Sequence, residues 1–493
     1  MKPTLILAAL CIGTPAFAQI TPIAEPPPQQ QRRAPRQQSQ APAPQRYNGA
    51  GMQALPLPGA ARPLTLAEAE SMLVERNLLV VAAQRGVDAA RAQRLVASSR
   101  PPMQLSAGSM VGEFNELRSG ALYGARFHAP TNNVNLGLTV IVETGGKREL
   151  RTRFADENIA VAEAQVLDAL RGQVFQLRQA FIAALGARAN LEVALGNRGS
   201  LDRTEALLRR QLQDGALPEG DLLRFQASRV PFEADVSSAA QAYAAAVAQV
   251  AATLAMDAAA VAPPATSSRD PLRVALPSVA IDVRGRFDSL PDPGVSRGEL
   301  GDAVQNRPDV VVAARQASAA GANTSLAESQ RWRDVTVNGG WDRTRLSQDL
   351  PNSTQQIYAS NQFSLNLSVP LFTSQITRGN IGVAQSQQAQ SAAQAQNALL
   401  QARADFATAW STFEQARALL RLYTGGALSR AEQAYRSTEQ AYSAGGRNLL
   451  DVLDALRTLN ATRVAANNAR AAYLTALAQL EFATGVTGLS PRL

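Results

Sequence analysis

Side chains able to do covalent or metal chemistry are scarce in this chain. Its 493 residues hold one histidine, His128, and one cysteine, Cys11. That inventory argues against most metal sites, Cys/His nucleophiles and Ser-His-Asp triads. His128 is expected in an outer loop with Tyr123 and Pro130, matched by a second loop with Pro351 and Tyr358, and there a lone imidazole is a solvated residue rather than a ligand. Glu143-Thr144-Gly145-Gly146-Lys147-Arg148 resembles a phosphate-binding loop in composition. It lacks that motif's spacing and reads as a turn from strand to helix.

What the chain offers instead is carboxylates at helical spacing. Asp451 and Asp454 are three apart, hence on one face of a helix. Two readings stand: a solvated helix start, where acids complement the macrodipole, or, if copies meet around an axis, a carboxylate ring that selects cations. Asp221 likewise suits a plain N-cap. With no catalytic constellation visible, the expectation is a protein that is not an enzyme and uses no cofactor and no metal. The formal charge of +8, from 48 basic against 40 acidic residues, is scattered, with no long Lys/Arg run after Arg46. A nucleic-acid footprint is more concentrated.

The elements that must position these acids begin after an export signal. Met1-Lys2, the apolar stretch from Leu5 to Ile12 and Ala16-Phe17-Ala18 before Gln19 read as a signal peptide over 1–18. Leu10 is too large to precede a bacterial lipidation cysteine at Cys11. A Pro/Gln-rich tract follows, too polar to bury a core, and is read as a flexible arm over 19–63. The whole chain, with 46% hydrophobic and 5% aromatic residues, exceeds the usual size of one compact domain. Its 33 glycines and 27 prolines exclude collagen-like and wholly disordered chains.

The part after the arm is duplicated around a Pro-rich linker over 257–295. Thr65-Leu66-Ala67-Glu68 and Ser296-Arg297-Gly298-Glu299 are both capping boxes. Val80 answers Val310, Leu136 answers Leu365 and Leu222 answers Leu449, so the offset stays between 227 and 231 residues. The repeats are placed at 64–256 and 296–485, with a C-terminal tail over 486–493.

Each repeat contains two period-two runs, predicted as strands at about 103–114 and 134–143, then 334–344 and 362–372. Val134, Leu136, Leu138, Val140 and Val142 alternate with polar or small residues, as do Phe363, Leu365, Leu367 and Val369. The apolar side stays uncharged for about ten residues, enough to cross a bilayer at a tilt. Phe114, Phe127, Trp332, Trp341, Phe363 and Phe372 lie near the ends, where aromatic residues anchor at the membrane interface. The opposite side carries Asn135, Thr139, Thr336, Asn338, Ser364 and Asn366. The alternation also fits half of a soluble β-sandwich, but the helices point elsewhere. A proline-free stretch from about Arg151 to Gln213 predicts a helix of about 90 Å, Asp221 to Ala255 runs back, and Gln385 to Tyr442 (interrupted at Gly425-Gly426) with Leu449 to Thr484 repeats this long-out, shorter-back plan, as in coiled-coil packing. Four membrane strands cannot close alone, since single-chain barrels need about eight and an open edge in lipid is costly. Copies must therefore share a barrel.

The segment Tyr442-Ser443-Ala444-Gly445-Gly446-Arg447-Asn448-Leu449-Leu450-Asp451-Val452-Leu453-Asp454-Ala455 resembles the second hairpin turn of TolC-type outer-membrane efflux proteins. The likeness extends from about Leu64 to Gly485 in element order. It implies a mainly α fold with a transmembrane β-barrel. Three copies would build a twelve-strand barrel continued by a long α-helical coiled-coil barrel. It further implies a homotrimer in the outer membrane reaching into the periplasm, a periplasmic adaptor (membrane fusion protein), an inner-membrane RND or ABC transporter, contact with outer-membrane lipid, and export of drugs or metal cations. Residue by residue, it assigns Arg447, Tyr442 and Asp221 to a periplasmic gate, and Asp451 and Asp454 to the pore constriction. Gly220 stands where the family has a hydroxyl residue before the first-hairpin Asp, and Pro218 is added, so fewer hydrogen bonds close the latch. Three partly exposed Arg-Asp pairs hold at most about 3 kcal/mol, short of the about 5.5 that takes a gate from almost closed to almost open. Adaptor binding must finish the opening. A type I protein secretion duct and a periplasmic coiled-coil adaptor without a channel are the competing assignments.

Overall fold

Local caps start the two halves alike. The computed structural model describes residues 61–112, 126–215, 218–261, 273–349 without 289, 291 and 293, 355–444, 446–491 and 493. A short strand β1 (Arg62–Leu64) leads to α1 (Leu66–Arg76), where Thr65 Oγ1 accepts from the Glu68 N–H and the Glu68 carboxylate accepts from the Thr65 N–H. Asn77 Oδ1 then caps α2 (Leu78–Ser98) by accepting from Leu79 and Val80. The chain continues into strands β2 (Gln104–Gly112) and β3 (Arg126–Val142). Gly145 and Gly146, both with φ near +70°, turn it into α3 (Lys147–Gln213), whose 67 residues span about 100 Å. Gly215, at φ +73°, lies between α3 and the return helix α4 (Glu219–Thr253).

After a short α5 (Ala258–Val261), the linker contributes β4 (Ile281–Val283), which pairs in parallel with β1. The second half repeats the plan. Ser296 and Glu299 form the capping box of α6 (Arg297–Ala303), and Pro308 opens α7 (Pro308–Ser329). Strands β5 (Val335–Asp349) and β6 (Gln355–Ser368) follow, then α8 (Ser374–Leu422). A π-helical turn at Tyr423–Ala427, with Gly426 at φ +122°, separates α8 from α9 (Leu428–Ser443). Last is α10 (Leu449–Thr484), ended by Gly485 in the left-handed conformation.

Helix α3 is the spine, packing on α2, α4, α7 and α10, while α10 also covers α8 and α9. Phe181, Ile182, Leu185, Tyr243, Val247 and Val250 bury Ile281 and Val283 in the first half. Phe406, Phe413, Tyr473, Leu477 and Leu480 fill the corresponding place in the second. A third cluster, with Leu201, Leu208, Phe225, Phe232, Leu453 and Leu456, joins the far ends of α3, α4 and α10. Among the described residues no helix is long and apolar enough to cross a membrane.

Several expectations shift. The signal peptide and most of the arm, with Phe114, Tyr123, Pro351 and Gly445, fall outside the described residues. Arg62 and Pro63, assigned to the arm, belong to β1, and the linker supplies its partner. His128 and Pro130 lie in β3 rather than in a loop, and Tyr358 lies in β6. Strands β3, β5 and β6 run past the apolar band into 126–133, 345–349 and 355–358, where the sequence shows no clean alternation. The register slips between His128 and Asn132. Helix α8 begins at Ser374, earlier than the expected Gln385.

Candidate functional site

The four long strands form one antiparallel sheet in the order β2-β3-β5-β6. Residues opposite one another in an antiparallel pair share a face, so the register sorts the side chains into rows. Leu105, Leu138, Gly339 and Leu365 make one row, Ala107, Leu136, Trp341 and Phe363 the next, and Val140, Val337 and Leu367 a third. On the other face run Gln104, Thr139, Asn338 and Asn366, then Ser106, Gly137, Gly340 and Ser364. The two central glycines keep this face shallow. A Cβ on Gly137 would lie 2.5 Å from Ser106 Oγ, and one on Gly340 2.5 Å from Ser364 Oγ.

The apolar face is open. Leu105 is 77% exposed, Phe363 83% and Leu365 73%. In water, such a continuous face would be a site of aggregation. From Val134 to Val142 the band extends about 27 Å along the strand, or roughly 20 Å when tilted as in a membrane barrel. The sheet ends in β2 on one side and β6 on the other, each with one edge unpaired among the described residues.

Below the band, the turn after β3 is fastened to the turn before β5. Asp334 Oδ1 accepts from the Thr144 N–H at 3.0 Å and from Lys147 Nζ at 2.8 Å, while Thr144 Oγ1 donates to the Arg333 carbonyl. Arg151 binds the Glu143 carboxylate. Gly145 lies under Trp332, whose Cδ1 would be 2.7 Å from an added Cβ. The Gly-Gly-Lys segment is thus the strand-to-helix elbow expected of it.

At the opposite end lie the five predicted gate and constriction residues. Asp221 sits in the first turn of α4 and pairs with Arg224 at 3.7 Å. Arg447 reaches Asp451 at 3.6 Å, both half-exposed. Asn448 Oδ1, the actual cap of α10, accepts from the Asp451 N–H. Tyr442 lies half-buried near the end of α9, and Asp454 is exposed one turn into α10. Within one chain, Arg447 and Asp221 therefore each find a partner in their own helical turn.

An ionic network sets this end. Glu205 of α3 is buried and accepts from Gln226, Arg209 and Arg229; burial would raise its carboxyl, but these bonds hold it below the ordinary range. Arg229 also binds Asp202 at 2.6 Å. Nearer the middle, the fully buried Arg188 binds the Asp282 carboxylate and donates to the Val283 carbonyl at 3.0 Å and to Glu192 at 3.1 Å. Tyr243 donates to the same Asp282, and its burial pushes the phenol well above its ordinary pKa. Sequence reading missed both networks. No described residues form a metal-binding cluster of His, Cys, Asp and Glu.

Known proteins share this arrangement. Residues 300–486 match the sequence model described as outer membrane efflux protein. Cobalt-zinc-cadmium resistance protein CzcC of Cupriavidus metallidurans is 24% identical over 418 residues, 82% of this chain and 86% of that one. Outer membrane protein TolC of Vibrio cholerae is 29% identical over 164 residues; the match covers 33% of this chain and 37% of TolC's length. Among solved structures, the outer membrane protein VceC of Vibrio cholerae superposes with a TM-score of 0.61 at 19% identity, over 85% of this chain and 96% of that one. The second repeat thus carries the outer-membrane efflux signature, the whole chain is similar to CzcC across both repeats, and its fold is that of VceC.

Proposed function

We propose that this protein is the outer-membrane channel of a tripartite efflux pump, a homotrimeric exit duct for small molecules that crosses the outer membrane and continues through the periplasm. The observation that carries this reading is the four-stranded sheet, apolar on one face, polar on the other and, among the described residues, unpaired at both edges. Three copies joined β6 to β2 give twelve strands, enough for a water-filled barrel. Helices α3, α4, α8, α9 and α10 then extend the barrel as a tunnel. At its mouth, Asp451 and Asp454 of successive copies form the constriction, and Arg447 with Tyr442 latches onto Asp221. A periplasmic adaptor and an inner-membrane RND or ABC transporter complete the pump. CzcC carries cobalt-zinc-cadmium resistance in its name, which favours divalent metal cations over drugs as cargo.

The test is fractionation followed by planar-bilayer recording. The mature protein should enter the outer-membrane fraction, run as an SDS-sensitive oligomer and open ion-conducting channels. A water-soluble monomer would overturn the reading. A deletion strain challenged with metals and antimicrobials then identifies the cargo.

A further inference from the structure

The turn between α7 and β5 and the opening of α8 enclose a cavity of about 540 Å³ lined by three arginines, Arg331, Arg333 and Arg378, and three hydroxyls, Thr373, Ser374 and Thr377. Among the described residues none of the three guanidiniums forms an ion pair. The acid next along the chain, Asp334, is already taken by Lys147 and the Thr144 N–H. Several arginines elsewhere, among them Arg151, Arg171, Arg178 and Arg229, meet carboxylates instead. Three like charges on one concave wall repel one another unless an anion sits between them.

The surroundings narrow the anion. Interleaved with the lining residues are Trp332, Leu371, Phe372 and Ile376, all strongly exposed, with Phe372 93% exposed. They stand where the apolar band of the sheet gives way to the helices, just past the end of β6 at Ser368. An anion bound here has hydrocarbon-compatible surface directly beside it. Guanidinium forks fit phosphate oxygens in pairs, and basic pockets at the edge of a membrane span bind lipid head groups.

We propose that this cavity seats the phosphate of a glycerophospholipid, with Arg331, Arg333 and Arg378 on the phosphate oxygens and the acyl chains along Leu371, Phe372 and Ile376. The inference rests on the membrane-spanning reading of the sheet. Each copy would thereby hold one lipid at the boundary between barrel and tunnel.

Native mass spectrometry of the detergent-released full-length protein tests this, after delipidation and titration with dioleoyl phosphatidylglycerol, dioleoylglycerol or inorganic phosphate. Wild-type protein should retain phosphatidylglycerol at least about tenfold more tightly than the phosphate-free diacylglycerol. The triple substitution R331Q/R333Q/R378Q should erase that preference, whereas R91Q, far along α2, should leave it intact. Equal retention of the two lipids by wild-type protein overturns the proposal without needing any variant, as does an undiminished preference in the triple variant. Displacement of the bound lipid by excess inorganic phosphate would assign the cavity to a free anion and equally overturn it. The same spectra report the assembled mass, so loss of the lipid from an intact oligomer is distinct from failure of the channel reading.

Discussion

Lys147 Nζ lies 2.8 Å from Asp334 Oδ1, joining the end of the first strand pair to the start of the second across the duplication. The same oxygen accepts the Thr144 N–H, so one carboxylate fixes both the charge and the backbone of the elbow. Asp334→Ala should destabilise the elbow by about 1–3 kcal/mol, and Asp334→Asn by less, because the amide oxygen still serves Thr144. Thermal melting of the helical circular dichroism in detergent should order the three proteins wild type, Asn, Ala. Equal melting of all three would show that the junction is held elsewhere.

Arg188 is the most deeply buried charge of the first repeat, and its carboxylate partner Asp282 comes from the linker. Removing one member of such a pair strands the other. Arg188→Ala should cost about 3–5 kcal/mol. Arg188→Lys should recover little, because the fork that serves Asp282, Val283 and Glu192 together is lost. Limited proteolysis should register this as faster cutting within 273–288; an unchanged rate would mean that the linker is held by its apolar contacts alone.

Glu205 gives a dependence on pH. Its folded-state pKa is depressed, so the stability it contributes is present above the ordinary glutamate value of about 4.3 and is lost as pH falls through the lower folded value. Glu205→Gln should melt a few degrees below wild type at neutral pH, and the gap should close as the medium is taken below about pH 4. A gap independent of pH would assign the effect to packing.

At the mouth, Arg447→Ala should raise the conductance of reconstituted channels. A half-exposed pair is worth about 1 kcal/mol at most and the variant loses one in each copy, so in the proposed trimer the open population should grow by no more than about 150-fold. Asp451→Ala combined with Asp454→Ala should weaken block by multivalent cations added from the periplasmic side. Undiminished block would place the constriction at other residues.

Much of this architecture was legible because its signals are periodic. The alternation from Val134 to Val142 reports a strand with one apolar face. The capping boxes at Thr65 and Ser296 appear as read, and the Gly425-Gly426 interruption became the π turn between α8 and α9. Strands β1 and β4 escaped notice since three residues carry no period, and their pairing joins positions more than two hundred apart. The buried partners of Arg188 and Glu205 were hidden for the same reason: a charge is visible in sequence, but its counterpart is chosen by the fold. Arg331 and Arg333 stand side by side around Trp332, while Arg378 reaches them only through the return of β6 into α8. The residues proposed for the gate were legible only as types and spacings, and within one chain Arg447 turns to Asp451.

The edges of β2 and β6, unpaired among the described residues, also carry a genetic consequence. In the proposed ring, where each member supplies half of two seams, an allele that spoils one edge disables every assembly it joins, not merely its own share. Mutations confined to those edges should therefore behave as dominant poisons when co-expressed with the normal gene, whereas defects buried in the helices should remain recessive.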